Sequence, residues 1–235
     1  MKERGMIFNA EMVRAILEGR KTQTRRPVKP QPELTERSGF SWNGVVFGSG
    51  SDDRETNRNF AHVKCPFGKP GDRIWVRETF QGPLFDYEQM QSYLEDSSKF
   101  EKPEFCQYAA DGKPAPEYYD ADDNLHCGWR PSIHMPRWAS RILLEIIDVR
   151  VERLNSISES DATQEGMMFS DYGVGRFGQQ RPGHSWKPTN HTDECLPNAR
   201  MAFANLWESI YGECSWRANP WVWVIEFKRV EGGAA

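Results

Sequence analysis

The stretch Asn9–Arg26, NAEMVRAILEGRKTQTRR, decides how the rest of the chain is read. Asn9 suits an N-cap, because its side-chain oxygen can accept from a backbone N–H that the first helical turn leaves unpaired. Met12, Val13, Ile16 and Leu17 then recur on one face at helical spacing. Gly19 supplies the left-handed residue that ends such a helix. Arg20, Lys21, Thr22, Gln23, Thr24, Arg25 and Arg26 follow as a loop or strand, halted by Pro27. The ordinary reading of such a run is solvated surface, its cations complementing the negative helix end. The chemical reading starts from Lys21 and Thr24. In an extended segment residues three apart face opposite sides, whereas a turn can bring them together. A lysine amine whose pKa is lowered by burial or by neighbouring cations can take a threonine proton. Arg20, Arg25 and Arg26 are candidates for that lowering, and equally for holding an anionic substrate.

Before this stretch, Met6-Ile7-Phe8 reads as a short strand. After it, Pro27 to about Phe60 is rich in Pro, Gly, Ser and charge and reads as an insertion. Within it, Phe40, Trp42, Val45, Val46 and Phe47 predict a hairpin about Asn43-Gly44, a strong turn dipeptide. Ser49–Asp53 reads as a loop tip. The turn-rich Pro66–Asp72 leads to a strand over Arg73–Glu78, with Ile74 and Val76 on one face and Trp75, Arg77 and Thr79 on the other. Glu78 falls on the apolar side, where a carboxylate needs either a partner arginine or a role in a site.

Residues 81–130 predict a helix over Asp86–Phe100, short strands in Phe105–Ala109 and Lys113–Tyr119, and a turn at Asp111-Gly112. Asp120, Asp122 and Asp123 read as solvated acids without Ca²⁺-loop spacing. Trp129–Arg141 (WRPSIHMPRWASR) mixes Arg130, His134, Arg137 and Arg141 with Trp129 and Trp138. Such a Pro-stiffened loop suits either a ligand made of phosphate plus base, or the packing of two tryptophans. Ile142–Val151 alternates as a strand. Ser158–Met167 predicts a short helix capped by Ser158 or Ser160 and stopped by Gly166. Glu165 sits at its C-terminal end, where the helix dipole disfavours a carboxylate. Lys21 and the arginines are the obvious partners if the ends of the two helices meet. Phe169–Asn190 predicts a mobile loop. Pro197–Tyr211 predicts an amphipathic helix with Met201, Ala204, Leu206, Trp207 and Ile210 inward, and Trp221–Val230 a strand buried on both faces. The tail from Glu231 to Ala235 is expected to be disordered.

A chain of 235 residues can bury a sizeable core. Its net charge of −4 argues against a generic nucleic-acid coat, although a basic cleft can exist on an acidic body. Nine Trp and thirteen Phe suit a core, with a few rings left over for stacking on bases. No apolar run is long enough to span a bilayer and no export signal is expected, so the reading is cytoplasmic, with five reduced cysteines. His62-x-x-Cys65 and His126-Cys127 are half sites for zinc without a second half, and neither metal nor cofactor is called for.

Gly19-Arg20-Lys21-Thr22-x-Thr24-x-Arg26 resembles the signature of the ASCH domain superfamily. So, in the same order, do Gly71-Asp72-x-x-Trp75-Val76-x-Glu78, Ala162-x-x-Glu165-Gly166 and Trp221–Phe227. The likeness is strongest to longer phage and prophage members. It implies an α+β fold built on a small mixed PUA-like barrel with flanking helices. The whole chain would then be one domain carrying insertions at about residues 30–60, 80–130 and 170–195. It also implies a hydrolase acting on an acylated nucleoside or nucleotide, of the N4-acetylcytidine amidohydrolase type. Lys21, Thr24 and Glu165 would be catalytic in it. Arg20, Arg26, Glu78, Trp75, Arg130, His134, Arg137 and Trp138 would bind the substrate. The alternative is an RNA- or single-stranded nucleic-acid-binding module, with ribonuclease activity as a further possibility in that superfamily.

Overall fold

Local sequence chemistry sets the frame. A computed structural model of the chain describes residues 1–35, 39–47, 53–119, 124–174, 180–189 and 195–230. The strands are β1 (Glu3–Ile7), β2 (Gln23–Pro27), β3 (Glu33–Leu34), β4 (Phe40–Trp42), β5 (Val45–Phe47), β6 (Arg73–Arg77), β7 (Phe80–Gln81), β8 (Gln107–Tyr108), β9 (Glu117–Tyr119), β10 (Leu125–Cys127), β11 (Leu143–Arg153), β12 (Met168–Val174), β13 (Gln180–Ser185) and β14 (Trp221–Arg229). The helices are α1 (Ala10–Leu17), α2 (Asp53–Lys64), α3 (Met90–Glu95), α4 (Glu159–Gln164) and α5 (Ala199–Tyr211), with short 3₁₀ turns between them. Asn9 caps α1 as its chemistry suggests, its Oδ1 accepting from the Met12 amide at 2.8 Å. Gly19 ends the turn after α1 at φ +75°.

The class is mixed α+β, with a five-stranded sheet in the order β1-β6-β11-β14-β2 and four smaller sheets. The expected closed barrel is not formed. Among the described residues no pairing joins β1 to β2, so the sheet is open. Closure needs a second ladder on each edge strand. Here both edge strands are five residues long, and β2 ends on Pro27, which has no N–H to give.

Two compact units divide the chain. The first comprises residues 1–14, 72–145 and 228–235. In it β1 runs parallel to β6 from Glu3↔Arg73 to Ile7↔Arg77, and the start of β11 pairs antiparallel with β6. Ile74 and Val76 are buried as their alternation requires. A satellite cluster packs Phe80, Tyr108, Met135 and Ala139, with Cys106 and Trp138 against it. The predicted helix over Asp86–Phe100 is broken into a 3₁₀ turn, α3 and another 3₁₀ turn. Asp96 leaves the helical region (φ −158°) so that its carboxylate can accept from the Ser98 amide. Only Gln107–Tyr108 and Glu117–Tyr119 of the two predicted short strands are extended.

The second unit comprises residues 15–71 and 146–227. There β2 pairs antiparallel with β14, Gln23 opposite Glu226 and Pro27 opposite Val222. Trp223 stacks on Phe60 at 5.4 Å, and Trp42 meets both rings edge-on. The Asn43-Gly44 hairpin forms with both residues at positive φ, whereas helix α2 was hidden within a segment read as irregular insertion. Residues Phe169–Asn190 also depart from expectation, because β12 and β13 form an antiparallel hairpin there. Glycine in it serves close packing: a Cβ at Gly183 would lie 2.3 Å from that of Cys195. On α5 the buried positions are Ala199, Ala202, Phe203, Leu206 and Trp207, while Met201 and Ile210 are exposed by 45% and 44%. Leu206 and Trp207 are inward as predicted and Ala204 is half-buried, while Ala199, Ala202 and Phe203 fill the stripe in place of Met201 and Ile210.

No disulfide joins any of the five cysteines among the described residues. Among the described residues no helix is long and apolar enough to cross a membrane. The expected loop tip at residues 49–52, the acids at 120–123 and the tail at 231–235 lie outside the described residues.

Candidate active site

Lys21, Gln23 and Arg25 alternate along the chain, so an extended backbone sends their side chains to one side. Backbone bonds fix that stretch: Lys21 forms an isolated antiparallel bridge with Glu165. The Thr22 amide donates to the Gln164 carbonyl at 2.9 Å, and the Phe227 amide donates to the Thr22 carbonyl at 2.8 Å. The C-terminal end of α4 is thereby laced to the residues after α1. Ser158 caps α4, accepting from the Asp161 amide, and Gly166 turns the chain away at φ +102°. A Cβ on Gly166 would lie 2.9 Å from the Ala15 Cβ and 3.3 Å from the Lys21 Cβ, so glycine is what lets the turn close on Lys21.

The side chains then meet. Lys21 Nζ donates to Glu165 Oε2 at 2.7 Å and to the Glu165 carbonyl at 2.9 Å. Arg25 Nη1 donates to Glu165 Oε1 at 3.1 Å, so each carboxylate oxygen has its own cation. The Lys21 and Arg25 side chains are 0% exposed and that of Glu165 is 1% exposed. Arg25 also faces Glu152 at 3.3 Å and Asp161 at 3.6 Å. Gln23 donates to the Asp161 carbonyl at 2.7 Å. Arg150 bonds Glu152, Asp161 and Glu226, which ties the outer acids to the sheet.

Burial holds the Lys21 amine below the ordinary lysine range. Glu165 pulls the other way through its charge and its hydrogen bond, and Arg26 and Arg25 push in the same direction as burial. This is the electrostatic condition for an amine that can accept a proton. The Asp161 carboxyl is held low against its own burial by Ser158, Arg25 and Gln23.

Thr24 is placed differently. It is buried on β2 opposite Ile225, and its hydroxyl makes no hydrogen bond to Lys21 or Glu165 among the described residues. Lys21 and Glu165 are brought together; Thr24 is not bonded into the pair. Arg20 is half-buried and donates to the Gly166 carbonyl at 2.6 Å and to Glu18 at 2.7 Å. Arg26 is half-buried opposite Trp223.

The other expected binding residues belong to the first unit. Glu78 is 1% exposed and bonded through both oxygens to Arg141, each at 3.0 Å. Burial raises its carboxyl pKa against the pull of Arg141, with Asp111 adding to the rise. Arg141 also reaches Asp111 at 2.7 Å and lies 3.9 Å over the Tyr108 ring, whose hydroxyl donates to the Ala139 carbonyl. Trp75 lies under the Arg77 guanidinium and across Gly5. Arg130 is exposed, donating to the Gly82 carbonyl over the Phe80 ring. His134 is exposed, Arg137 pairs with Glu3 at 3.0 Å, and Trp138 packs against the Phe80 cluster.

Gln23, Glu152, Arg150 and Asp161 were not singled out from the sequence, and Arg25 only as a charge near Lys21. The signal was the period of two through Lys21, Gln23 and Arg25, and the same period through Arg150 and Glu152 on β11. Comparison with protein-family models, with curated proteins and with solved structures gives no match.

Proposed function

We propose that the chain is an amidohydrolase acting on an acylated cytidine-type nucleoside or nucleotide, with Lys21 as the proton-accepting amine and Glu165 as the carboxylate that holds it. The observation that carries this reading is the buried amine of Lys21, set 2.7 Å from the Glu165 carboxylate and held by burial below the ordinary lysine range. The resemblance of four ordered segments to the ASCH superfamily supports it.

The chemistry balances without a cofactor. The unprotonated form of Lys21, which burial favours, takes the proton from the attacking oxygen, that of water or of Thr24, as it bonds to the acyl carbon. Collapse breaks the carbon–nitrogen bond, and the Lys21 proton passes to the departing exocyclic nitrogen. Glu165 and Arg25 keep the amine in place through both charge states. If Thr24 is the attacking group, a second water then releases the acid from it. Because the Lys21 and Glu165 side chains are sealed from solvent, a substrate reaches the amine only through a local opening, and the turn at Gly166, packed against Lys21, is the gate this reading takes. Turnover should therefore be gated by that turn.

The test is incubation with N4-acetylcytidine, followed by mass spectrometry for loss of the acetyl group, beside Thr24→Val and Lys21→Arg. Conversion by the native chain that Lys21→Arg abolishes, with folding intact, supports the reading; survival of conversion in Thr24→Val assigns the attack to water, and its loss assigns it to Thr24. No conversion, together with binding of single-stranded RNA that weakens steeply with salt, would replace it with a phosphate-gripping module.

A further inference from the structure

The first unit contains a cleft of about 910 Å³ that the hydrolytic reading does not use. Its size is that of a small-molecule site. Aromatic rings make much of its wall: Phe85, Tyr87, Phe105, Tyr118 and Tyr119. The charged residues among its described lining are Asp86, Glu104 and Glu117, with no Lys, Arg or His. Between Gln81 and Tyr119 the sequence holds eight carboxylates against three lysines, so the surroundings reinforce the sign of the cleft. Burial pushes the Cys106 thiol in the wall up to about 11, which leaves it neutral at physiological pH. Of the cations nearby, Lys102 meets Glu104 at 3.6 Å with both side chains exposed, His126 stacks on Tyr118, and Arg130, whose charge reaches Cys106, donates to the Gly82 carbonyl at 3.1 Å.

We propose that this cleft binds a small organic cation, a substituted ammonium on an apolar body, between its aromatic rings and its three carboxylates. An ammonium is attracted to the negative face of an aromatic ring, most strongly where water is excluded, and carboxylates at the rim add a longer-range pull. A phosphate-bearing ligand would meet the same carboxylates as repulsion, so this cleft and a nucleotide site have opposite electrostatics. The wall is braced from behind. Phe85 stacks on Tyr93 at 4.5 Å and lies 5.1 Å from Phe100, which in turn meets Phe105 at 4.8 Å. Phe85 and Phe105, already packed, lose little further freedom when a ligand enters, whereas the exposed Tyr87 and Tyr119 must be ordered by it. The proposal stands apart from the hydrolytic reading, since it uses neither Lys21 nor Glu165.

Titrating the full chain with benzyltrimethylammonium, benzyl alcohol and uridine monophosphate by calorimetry and amide chemical shifts tests this. Saturable binding of the cation is expected, about tenfold or more tighter than the neutral alcohol, with no binding of the nucleotide at the shifted amides. Glu117→Gln and Tyr119→Ala, both at exposed positions, should each weaken the cation about fivefold while leaving the melting temperature unchanged. Equal affinity for alcohol and cation, tighter binding of the nucleotide, or indifference to both substitutions would overturn the proposal. So would a lysine-rich peptide binding where the free cation does not.

Discussion

Replacing Glu165 by glutamine should unfold the second unit far more readily than its size suggests, and in a pH-dependent way. The change keeps the shape of the side chain and removes one charge from between two cations that are both 0% exposed. Arg25 retains Glu152 at 3.3 Å and Asp161 at 3.6 Å. Lys21 retains only the backbone carbonyl of residue 165, at 2.9 Å, so the loss concentrates on the lysine. Breaking a buried pair in this way costs about 3–5 kcal/mol. For a chain of this length that is a drop in Tm of roughly 6–20 °C.

The pH dependence has a fixed sign. The folded pKa of Lys21 already lies below the ordinary value of 10.5, and Glu165 supplies two of the influences that raise it. Without them it falls further and the window widens. Between the folded and unfolded values the unfolded chain holds the extra proton, so stability rises with pH there, by at most about 1.4 kcal/mol per pH unit for one site. The deficit of the variant should therefore be largest near neutrality and shrink towards pH 10, leaving the part owed to Arg25. Urea unfolding followed by tryptophan fluorescence at pH 7 and pH 10 measures both quantities. A deficit under about 1 kcal/mol at pH 7, or one that grows with pH, would refute the reasoning.

Thr24→Val replaces a buried hydroxyl that is not bonded to Lys21 or Glu165 by a methyl of similar size, and should change stability by less than about 1 kcal/mol and kcat by less than about threefold if water is the attacking group; paired melts and turnover decide. Arg141→Met leaves the 1%-exposed Glu78 without its bidentate partner and should cost about 3–5 kcal/mol at pH 8. Its deficit should shrink at pH 5, because the raised pKa of Glu78 rises further and the folded state takes up a proton as pH falls; melts at the two values check this. Gly166→Ala forces a Cβ into φ +102° and to 2.9 Å from Ala15, and should cost about 1–3 kcal/mol, read by denaturant unfolding. Hydrogen exchange at the amides of Gly166 and Met167 should be faster than at Val224 and Ile225 in β14, if opening of that turn admits substrate.

Much of this arrangement was legible before any coordinates. The cap at Asn9, the stop at Gly19, the hairpin at Asn43-Gly44 and the cap at Ser158 are local chemistry, and each forms as its residues dictate. Glu165 was legible as a charge at the wrong end of a helix, and it found its cations. Pairing Lys21 with Thr24 ran against the period of two, which sends Lys21, Gln23 and Arg25 one way together and puts Thr24 out of step with them. The buried face of α5 was partly misread because apolar residues at Met201 and Ile210 offered a competing stripe, and only packing chooses between two such faces. Closure of the sheet is a long-range property. No local motif reports whether the edge strands find one another, and β1 and β2 do not. Composition misled at Phe169–Asn190, where glycine marks tight contact between a hairpin strand and Cys195, and at α2, where polar residues hid a helix.

Titration of the Lys21 amine by heteronuclear NMR, with its nitrogen assigned by Lys21→Arg, bears most directly on the account. The amine is expected to lose its proton below the ordinary lysine value of 10.5, and to do so at a still lower pH in Glu165→Gln. A Lys21 amine that titrates at 10.5 or above would contradict the claim that burial has prepared it to accept a proton.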